Sequence, residues 1–276
     1  MHHGIAYGAL VIISFSMQMN IGGTLDTKIK AFYDSYDYAS FWQGREYENR
    51  SDRIALQRLL RYVTSPHLCI IDIGVGSGRM IPFYEHLWKE CVFLDPSSHQ
   101  LAHAQGMSKK GNTASFFVQG TVNTIPLPDA SCDTAICIRI FHYVEDPDHA
   151  IKEIARILTP DGFLILEIPN KNHFKARIQS WFSREQKARL TSIDPVHIGK
   201  AQDSPFLNHN PRIIRILLER HEFEVKKMLS VSNFRSTFFK YIIPQPLLLW
   251  IEGIVQNPLA RFWFGPSIYF LAKKKQ

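Results

Sequence analysis

A glycine-rich stretch that follows a buried apolar run is the feature that most constrains the fold of this chain. It extends from Ile70 to Gly78 with the sequence IIDIGVGSG, in which three glycines alternate with other residues. Glycine adopts positive φ freely and lets a ligand approach the backbone closely. A turn of this kind at the carboxyl end of a parallel strand is where open α/β sheets bind nucleotide-like ligands. The stretch therefore predicts an α/β fold with a ligand site at the turn.

Apolar runs and helical patterns alternate along most of the chain. The runs predict seven strands, at residues 68–73, 91–94, 114–118, 134–138, 163–168, 223–229 and 267–272. Helices are predicted between strands at residues 79–88, 98–105, 147–158 and 212–220, the last three capped by Ser97, Asp146 and Asn210. Alternation of this length predicts a parallel sheet with helices on both faces.

Positive charge is concentrated near the C-terminal end of the chain. The formal net charge is +7, and residues 226–276 hold eight lysine and arginine residues against the single acid Glu252. The rest of the chain is balanced, so a broad nucleic-acid surface is not indicated. A basic patch beside apolar sequence fits an acidic substrate or an anionic membrane surface, with a solvated tail as the alternative.

The cysteines and the N-terminal segment bear on the location of the protein. No C-x-x-C pair occurs among the cysteines, so no metal or redox site is predicted, and buried thiols favour a reducing cytoplasm. Residues 1–28 are interpreted as an N-terminal extension. Three hypotheses stay open for it: surplus sequence before a start at Met17 or Met19, a weak membrane-associating segment, or a helix packed on the domain. The prediction is a cytoplasmic protein, with membrane association as the alternative.

Several stretches together resemble the class I S-adenosylmethionine-dependent methyltransferases. The pattern D-x-G-x-G-x-G from Asp72 to Gly78 resembles the first motif of that family. Asp95 follows the second apolar run, 17 residues after Gly78, at a spacing that suits an acceptor for ribose hydroxyls. Residues 117–129, 132–144 and 153–162 resemble the later motifs, most closely those of the small-molecule methyltransferases called type 11. The resemblance covers the chain from about Ile70 to Asn170.

The resemblance implies a fold, a cofactor and a reaction. The implied fold is a Rossmann-like, doubly wound sheet of seven mostly parallel strands in the order 3-2-1-4-5-7-6, with an antiparallel last strand. S-adenosylmethionine is the implied cofactor, and its methyl group would pass to an O, N or C atom of a small, partly apolar or lipid-like acceptor. The residues that the resemblance assigns to the cofactor are Asp72, Gly74, Gly76, Gly78, Asp95, Pro96, Thr121, Val122 and Ile138.

Among the departures from the family pattern, one bears on recognition of the cofactor. Thr121 stands where the family usually has an acid near the adenine amino group. A hydroxyl also accepts hydrogen bonds, and backbone groups share this work in relatives. Weaker but retained adenine recognition is therefore expected.

The chain is predicted to be one methyltransferase domain, residues 29–276. Its first segment, 29–62, carries six aromatic residues between positions 33 and 47 and is predicted either to close over the cofactor or to pack on the sheet. A polar insertion at 170–209 is expected to shape the acceptor pocket. An apolar, aromatic insertion at 231–264 is expected to cover an apolar acceptor, to contact a membrane surface or to form a dimer surface.

Histidines near the carboxyl ends of the strands are candidates for a general base. His142, His173, His197 and His209 all qualify, each with a structural role as the alternative, and His173 and His197 are the preferred pair because both lie in the first insertion. Two other functions stay open. An NAD-dependent oxidoreductase is opposed by Arg79, which stands where that class needs its third glycine. A non-catalytic cofactor-binding module is the other alternative.

Overall fold

The sheet of the computed structural model matches the predicted strand order. The structure describes residues 42–64, 67–109, 113–197 and 206–276. The strands are β1 (Cys69–Ile73), β2 (Glu90–Asp95), β3 (Ala114–Gln119), β4 (Cys132–Cys137), β5 (Leu158–Pro169), β6 (Val196–His197), β7 (Leu207–Asn208), β8 (Phe223–Val231) and β9 (Ser267–Lys274). Seven of them form one sheet in the order β3-β2-β1-β4-β5-β9-β8, with β9 antiparallel to both neighbours, and β6 pairs with β7 in a separate hairpin. The predicted 3-2-1-4-5-7-6 order is confirmed, with β8 and β9 as the sixth and seventh strands.

Helices cover both faces of this sheet. They are α1 (Glu46–Leu60), α2 (Ser98–Met107), α3 (Pro147–Ile157), α4 (Phe174–Phe182), α5 (Arg184–Thr191), α6 (Pro211–Arg220), α7 (Thr237–Ile242) and α8 (Gln245–Ala260). The three predicted caps are confirmed: the side chains of Ser97, Asp146 and Asn210 accept hydrogen bonds from the first-turn amides of α2, α3 and α6. Side-chain oxygens at this position satisfy amides that otherwise lack a partner within the helix.

Two apolar clusters flank the sheet, because successive strand residues point to opposite faces. Ile71 belongs to the cluster that α3 and α6 cover, through residues such as Ile154 and Leu218. The next residue toward the N-terminus, Ile70, belongs to the cluster covered by α1 and α2, which includes Leu56. This arrangement is the doubly wound fold that the alternation predicted.

The predicted helix at residues 79–88 is wrong. Two short 3-10 turns, Ile81–Phe83 and Glu85–Leu87, occupy the segment. Tyr84 lies between them with φ −139°, outside the helical region, and its side chain is fully buried. Its hydroxyl donates a hydrogen bond to the carboxylate of Asp72. Burial of this side chain and its hydrogen bond to β1 override the local helical preference.

Both insertions leave the sheet at the edge where the glycine turn lies. Pro169 of β5 and Val231 of β8 both pair with Ser267, at the start of β9, and β5 runs parallel to β4 and β1. The first insertion holds α4, α5 and the β6–β7 hairpin, and the second holds α7 and α8. No helix among the described residues combines the length and apolar character that a membrane span requires.

Helix α1 is joined to α8 through one buried carboxylate. Glu252 of α8 accepts hydrogen bonds from the Tyr47 hydroxyl at 2.7 Å and from the amides of Ser232 at 2.8 Å and Asn233 at 3.1 Å. Of the six aromatic residues predicted for the first segment, Trp42 and Tyr47 are described. The other four, and the extension 1–28, lie outside the described residues.

Candidate functional site

The glycine turn after β1 adopts a backbone that only glycine accepts without strain. Gly74, Gly76 and Gly78 have φ of +72°, +55° and +80°. A Cβ atom on Gly74 would lie 1.9 Å from Cδ1 of Ile140, and one on Gly78 would lie 2.9 Å from Cα of Ala104 on α2. The turn is therefore packed between α2 and the segment that follows β4, with no room for side chains at these two positions.

Asp95, at the end of β2, is held against the turn by two backbone amides. Its Oδ2 accepts from the amide of Gly76 and its Oδ1 accepts from the amide of Ser97, each at 2.9 Å. A carboxylate oxygen accepts more than one hydrogen bond. The buried carboxylate is thus fixed in position at the side of the turn.

A cleft opens between the turn, the end of β2 and the segment after β4. It encloses about 690 Å³, part of it open to solvent. Leu94, Val122 and Val144 supply apolar walls, and Asp95 and Arg139 supply charge. The shape and lining suit a ligand with an apolar ring and a polyhydroxyl part.

Six of the nine predicted cofactor residues line this cleft: Gly74, Gly76, Asp95, Pro96, Thr121 and Val122. The other three are placed behind it. Asp72 is buried beneath the turn, where burial raises the pKa of its carboxyl to about 6 although the hydrogen bond from Tyr84 opposes the shift. Gly78 faces α2, and Ile138 packs in the core with α1.

Sequence reasoning missed eight residues of the cleft, among them Asn123, Arg139, Ile140 and Tyr143. All four lie in or beside stretches that resemble family motifs, but no residue type in those stretches identifies which side chains face the ligand. Arg139 has φ +63°, in the left-handed region, and this places its side chain across the carboxyl end of β4. Nothing in the local sequence predicts that backbone conformation.

One buried carboxylate joins both walls of the cleft. Asp52 of α1 accepts from Arg79 at 3.0 Å, from Arg139 at 3.1 and 3.2 Å, and from the Tyr269 hydroxyl at 2.8 Å. Burial alone would lower the pKa of the Arg139 guanidinium, but the carboxylates of Asp52 and Glu167 raise it above its usual value. The turn side and the β4 side of the cleft are therefore connected through α1.

Trp42 extends this arrangement on the side of the turn. The guanidinium of Arg79 lies 4.1 Å from the centre of the Trp42 ring, and Arg79 also donates to Asn49 at 3.1 Å. Cation–π contact of this kind adds to the ionic bond with Asp52. An aromatic residue from the predicted covering segment thus lies beside the glycine turn.

The preferred pair of histidines lies away from the cleft lining. Nδ1 of His173 accepts from the amide of Ala176 at 3.3 Å and caps α4, and burial together with Arg235 lowers its pKa to about 4. His197 is exposed on the β6–β7 hairpin. Neither side chain lines the cleft, and the catalytic role of both stays a prediction.

The other two histidines lie beside the β4 wall. The His142 ring lies 4.0 Å from the Tyr143 ring, and burial, Arg139 and His209 together lower its pKa to about 3. Nε2 of His209 donates to the Phe141 carbonyl at 2.6 Å, and burial lowers its pKa to about 4. Both rings are therefore neutral at pH 7. Among the described residues, no cluster of His, Cys, Asp or Glu is suited to bind a metal ion.

Comparison with known proteins agrees with this geometry. Residues 71–166 match a family model described as a methyltransferase domain. The chain is 32% identical to the uncharacterized methyltransferase YcgJ of Bacillus subtilis over 35% of its own length and 39% of that protein. It is 25% identical to a probable S-adenosylmethionine-dependent methyltransferase of Mycobacterium tuberculosis, over 64% of this chain and 62% of the relative. The chain thus spans less than two thirds of these curated relatives.

A solved structure shows the same fold over most of the chain. A SAM-dependent methyltransferase from Thermotoga maritima aligns with a TM-score of 0.55 over 90% of this chain and 98% of that one. The two sequences are 20% identical, so the likeness is one of fold.

Proposed function

We propose that this chain is a class I S-adenosylmethionine-dependent methyltransferase, which transfers the methyl group of S-adenosylmethionine to a small, partly apolar or lipid-like acceptor. The accepting atom is an oxygen, nitrogen or carbon. One observation carries the proposal: the glycine turn and the carboxylate of Asp95 meet in one cleft.

The residues of the cleft fit this cofactor. Positive φ at Gly74 and Gly76 lets a ligand approach the turn without meeting a side chain. A carboxylate held at this position, as that of Asp95 is, suits the two hydroxyls of a ribose, because carboxylate oxygens accept hydrogen bonds from hydroxyl groups. Val122 and the apolar walls suit an adenine ring, and the hydroxyl of Thr121 is an acceptor for its amino group.

Charge in the cleft is arranged to tolerate a cationic ligand. An electrophilic methyl group on a positive sulfonium is the chemistry that the cofactor supplies when bound. Arg79 and Arg139 would repel such a ligand if they were unpaired, but Asp52 and Glu167 balance them. The paired carboxylates therefore limit the net positive charge near the cleft, and the same ion pairs hold its elements together.

The buried histidines favour an acceptor that is nucleophilic without their help. A general base works best when its pKa lies near the operating pH. The pKa values of His142 and His209, about 3 and about 4, lie well below that range. An amine or an already ionised oxygen therefore suits the site better than an alcohol. Positioning of the acceptor atom then supplies most of the rate enhancement and can lower the activation barrier by about 7–11 kcal/mol.

His173 and His197 stay our candidates for a base if the acceptor must lose a proton, although burial lowers the pKa of His173 to about 4, below the range that suits a general base. His173→Asn and His197→Asn test this role separately. A large fall in turnover with unchanged affinity for S-adenosylhomocysteine supports it, whereas unchanged turnover in both variants removes it.

Calorimetry and methyl transfer test the proposal in two steps. S-adenosylhomocysteine should bind the purified protein, and NADH, the ligand expected of an oxidoreductase, should not. Radiolabelled S-adenosylmethionine with fractionated cell extract should then yield a labelled organic-soluble product. Failure of S-adenosylhomocysteine to bind overturns the cofactor assignment. Binding of S-adenosylhomocysteine without any labelled acceptor indicates a non-catalytic module.

A further inference from the structure

The two insertions present large apolar side chains to solvent at one edge of the molecule. Trp181 and Phe182, at the end of α4, are 80% and 85% exposed, and Tyr241 of α7 is 90% exposed. Trp250 of α8 is 64% exposed, and Phe262 just beyond α8 is also exposed. We call this set of side chains, together with Ile254, the edge surface. Exposed apolar groups of this size and number mark interaction sites.

The exposed apolar residues of α8 lie along one side of the helix and not at a frayed end. Its buried side, which includes Leu249, Glu252 and Gln256, packs against α1 and β8. Leu247, Trp250 and Ile254 follow a spacing of three and four residues, so they share the opposite side. A helix on a protein surface normally carries polar residues there. The outer side of α8 is therefore apolar without a partner in the described part of the chain.

The parts of the edge surface are joined by contacts between the two insertions. The Phe174 ring of α4 stacks on Phe264 at 4.8 Å, and Arg177 donates to the Phe262 carbonyl at 2.6 Å. These contacts place the first two turns of α4 beside the segment that follows α8. The two insertions therefore meet at this edge, although Arg177 and Phe262 are 85 positions apart in the chain.

Exposed cations lie in the same chain segments as the edge surface, and we call them its rim. They are Lys175, Arg184, Lys187, Arg189, Arg235 and Arg261. Over these segments, residues 174–191 and 234–264, Glu185 is the single exposed acid, because Glu252 is buried among hydrogen-bond donors. The exposed charge that accompanies the apolar side chains is thus strongly positive.

We propose that the edge surface docks on an anionic lipid bilayer. Aromatic side chains with a polar group, such as Trp and Tyr, favour the boundary between acyl chains and headgroups. Each Lys or Arg near an anionic leaflet adds electrostatic attraction. A second copy of the chain suits the edge surface less well, since a two-fold interface sets the same patch on both subunits and would bring the two positive rims together.

Docking would turn the carboxyl edge of the sheet toward the bilayer. The cleft lies at that same edge, at the ends of β1, β2 and β4. An acceptor dissolved in the membrane could then reach the cleft without crossing water. The docking itself rests on the edge surface alone and does not depend on the proposed methyl transfer.

Sedimentation with vesicles tests the docking. The full chain is mixed with vesicles of phosphatidylcholine alone or of phosphatidylcholine with about one third phosphatidylglycerol. Binding should occur only with the anionic vesicles and should fall as salt rises from about 0.1 to about 1 M, which shortens the Debye length from about 10 to about 3 Å. The double variant Trp181→Glu/Trp250→Glu should lower the partition coefficient at least about tenfold, because it removes two interfacial side chains and adds two charges of the wrong sign.

Ile216→Glu is the matched control, since Ile216 is an exposed apolar residue of α6 outside the edge surface. It should bind vesicles like the unmodified chain. Equal binding by the control and the double variant would overturn the proposal, as would a full chain that stays in the supernatant. A dimer in ultracentrifugation that the double variant dissociates would assign the surface to a second copy instead. Retained affinity of the double variant for S-adenosylhomocysteine shows that the cleft is intact, so the two proposals fail independently.

Discussion

Asp95 is a single residue that receives hydrogen bonds from two chain segments, the glycine turn and the start of α2. Asp95→Ala should weaken the binding of S-adenosylhomocysteine by about 1–3 kcal/mol, because buried hydroxyl groups of the ligand lose their acceptor. Titration calorimetry measures the change. Asp146→Ala is the control, because it also removes a carboxylate that accepts from two backbone amides, here at the start of α3 and outside the cleft lining, and should leave the affinity unaltered. Equal affinity of Asp95→Ala and the unmodified chain would exclude a role for Asp95 with ribose.

Gly74 is constrained in two independent ways. Its φ of +72° costs an alanine about 1–2 kcal/mol, and its Cβ would lie 1.9 Å from Ile140. Gly74→Ala should therefore lower both the free energy of unfolding and the affinity for the cofactor. The double variant Gly74→Ala/Ile140→Ala removes the collision but keeps the backbone strain, so it should recover part of the affinity. No recovery would mean that the backbone conformation alone decides binding at the turn.

At the scale of whole elements, α1 is held to the sheet by Asp52 as well as by apolar packing. Asp52→Asn leaves Arg79 and Arg139 without their shared carboxylate, and losing one partner of a buried pair typically costs about 3–5 kcal/mol. Urea unfolding should show this loss. Asp148→Asn breaks the ion pair to Arg220 and alters the contact with His221 at the surface, and it should change stability by less than about 1 kcal/mol. Similar small losses in both variants would show that Asp52 contributes little to holding α1 on the sheet.

The elements that the sequence predicts well are those with strong local signals. Continuous apolar runs located all seven strands of the sheet, and Ser97, Asp146 and Asn210 located the starts of three helices. The segment after the glycine turn was predicted wrongly as a helix, because the decisive interaction is the burial of Tyr84 against Asp72. Contacts between residues that packing brings together leave no periodic signal in the sequence.

The residues of the site also differ in how well the sequence predicts them. Gly74, Gly76 and Asp95 could be found because glycine spacing and an acid after a strand have direct physical meaning. Arg139 and Tyr143 could not, because their position in the cleft depends on a left-handed backbone at residue 139 and on the partner Asp52, 87 positions away. Residues 1–28 lie outside the described residues, and the interpretation of that segment stays a prediction.

At the scale of the whole molecule, buried histidines make stability depend on pH. The pKa of His209 falls from 6.5 to about 4 on folding, so the unfolded chain binds a proton more readily than the folded one between these values. The folded state therefore loses stability as the pH falls from about 6.5 to about 4, by up to about 3 kcal/mol for this residue.

His209→Gln tests this contribution, since the glutamine amide can still donate to the Phe141 carbonyl but does not titrate. Free energies of unfolding measured at pH 7 and pH 4.5 should differ less in the variant than in the unmodified chain. Asp72 opposes the trend, because burial raises the pKa of its carboxyl to about 6 and acidification then favours the folded state. An identical pH dependence in both proteins would contradict the assignment to His209.

The side chains around Asp52 come from opposite ends of the described chain, with Tyr269 lying 217 positions from the carboxylate that it contacts. Replacing a terminal segment with that of a relative would therefore separate residues that contact each other in the folded chain. A chimaera that takes its C-terminal third from another methyltransferase should fold well only when the donor also offers a hydroxyl at the position of Tyr269. In an alignment of this chain with its orthologues, positions 52, 79, 139 and 269 should accordingly change as a group.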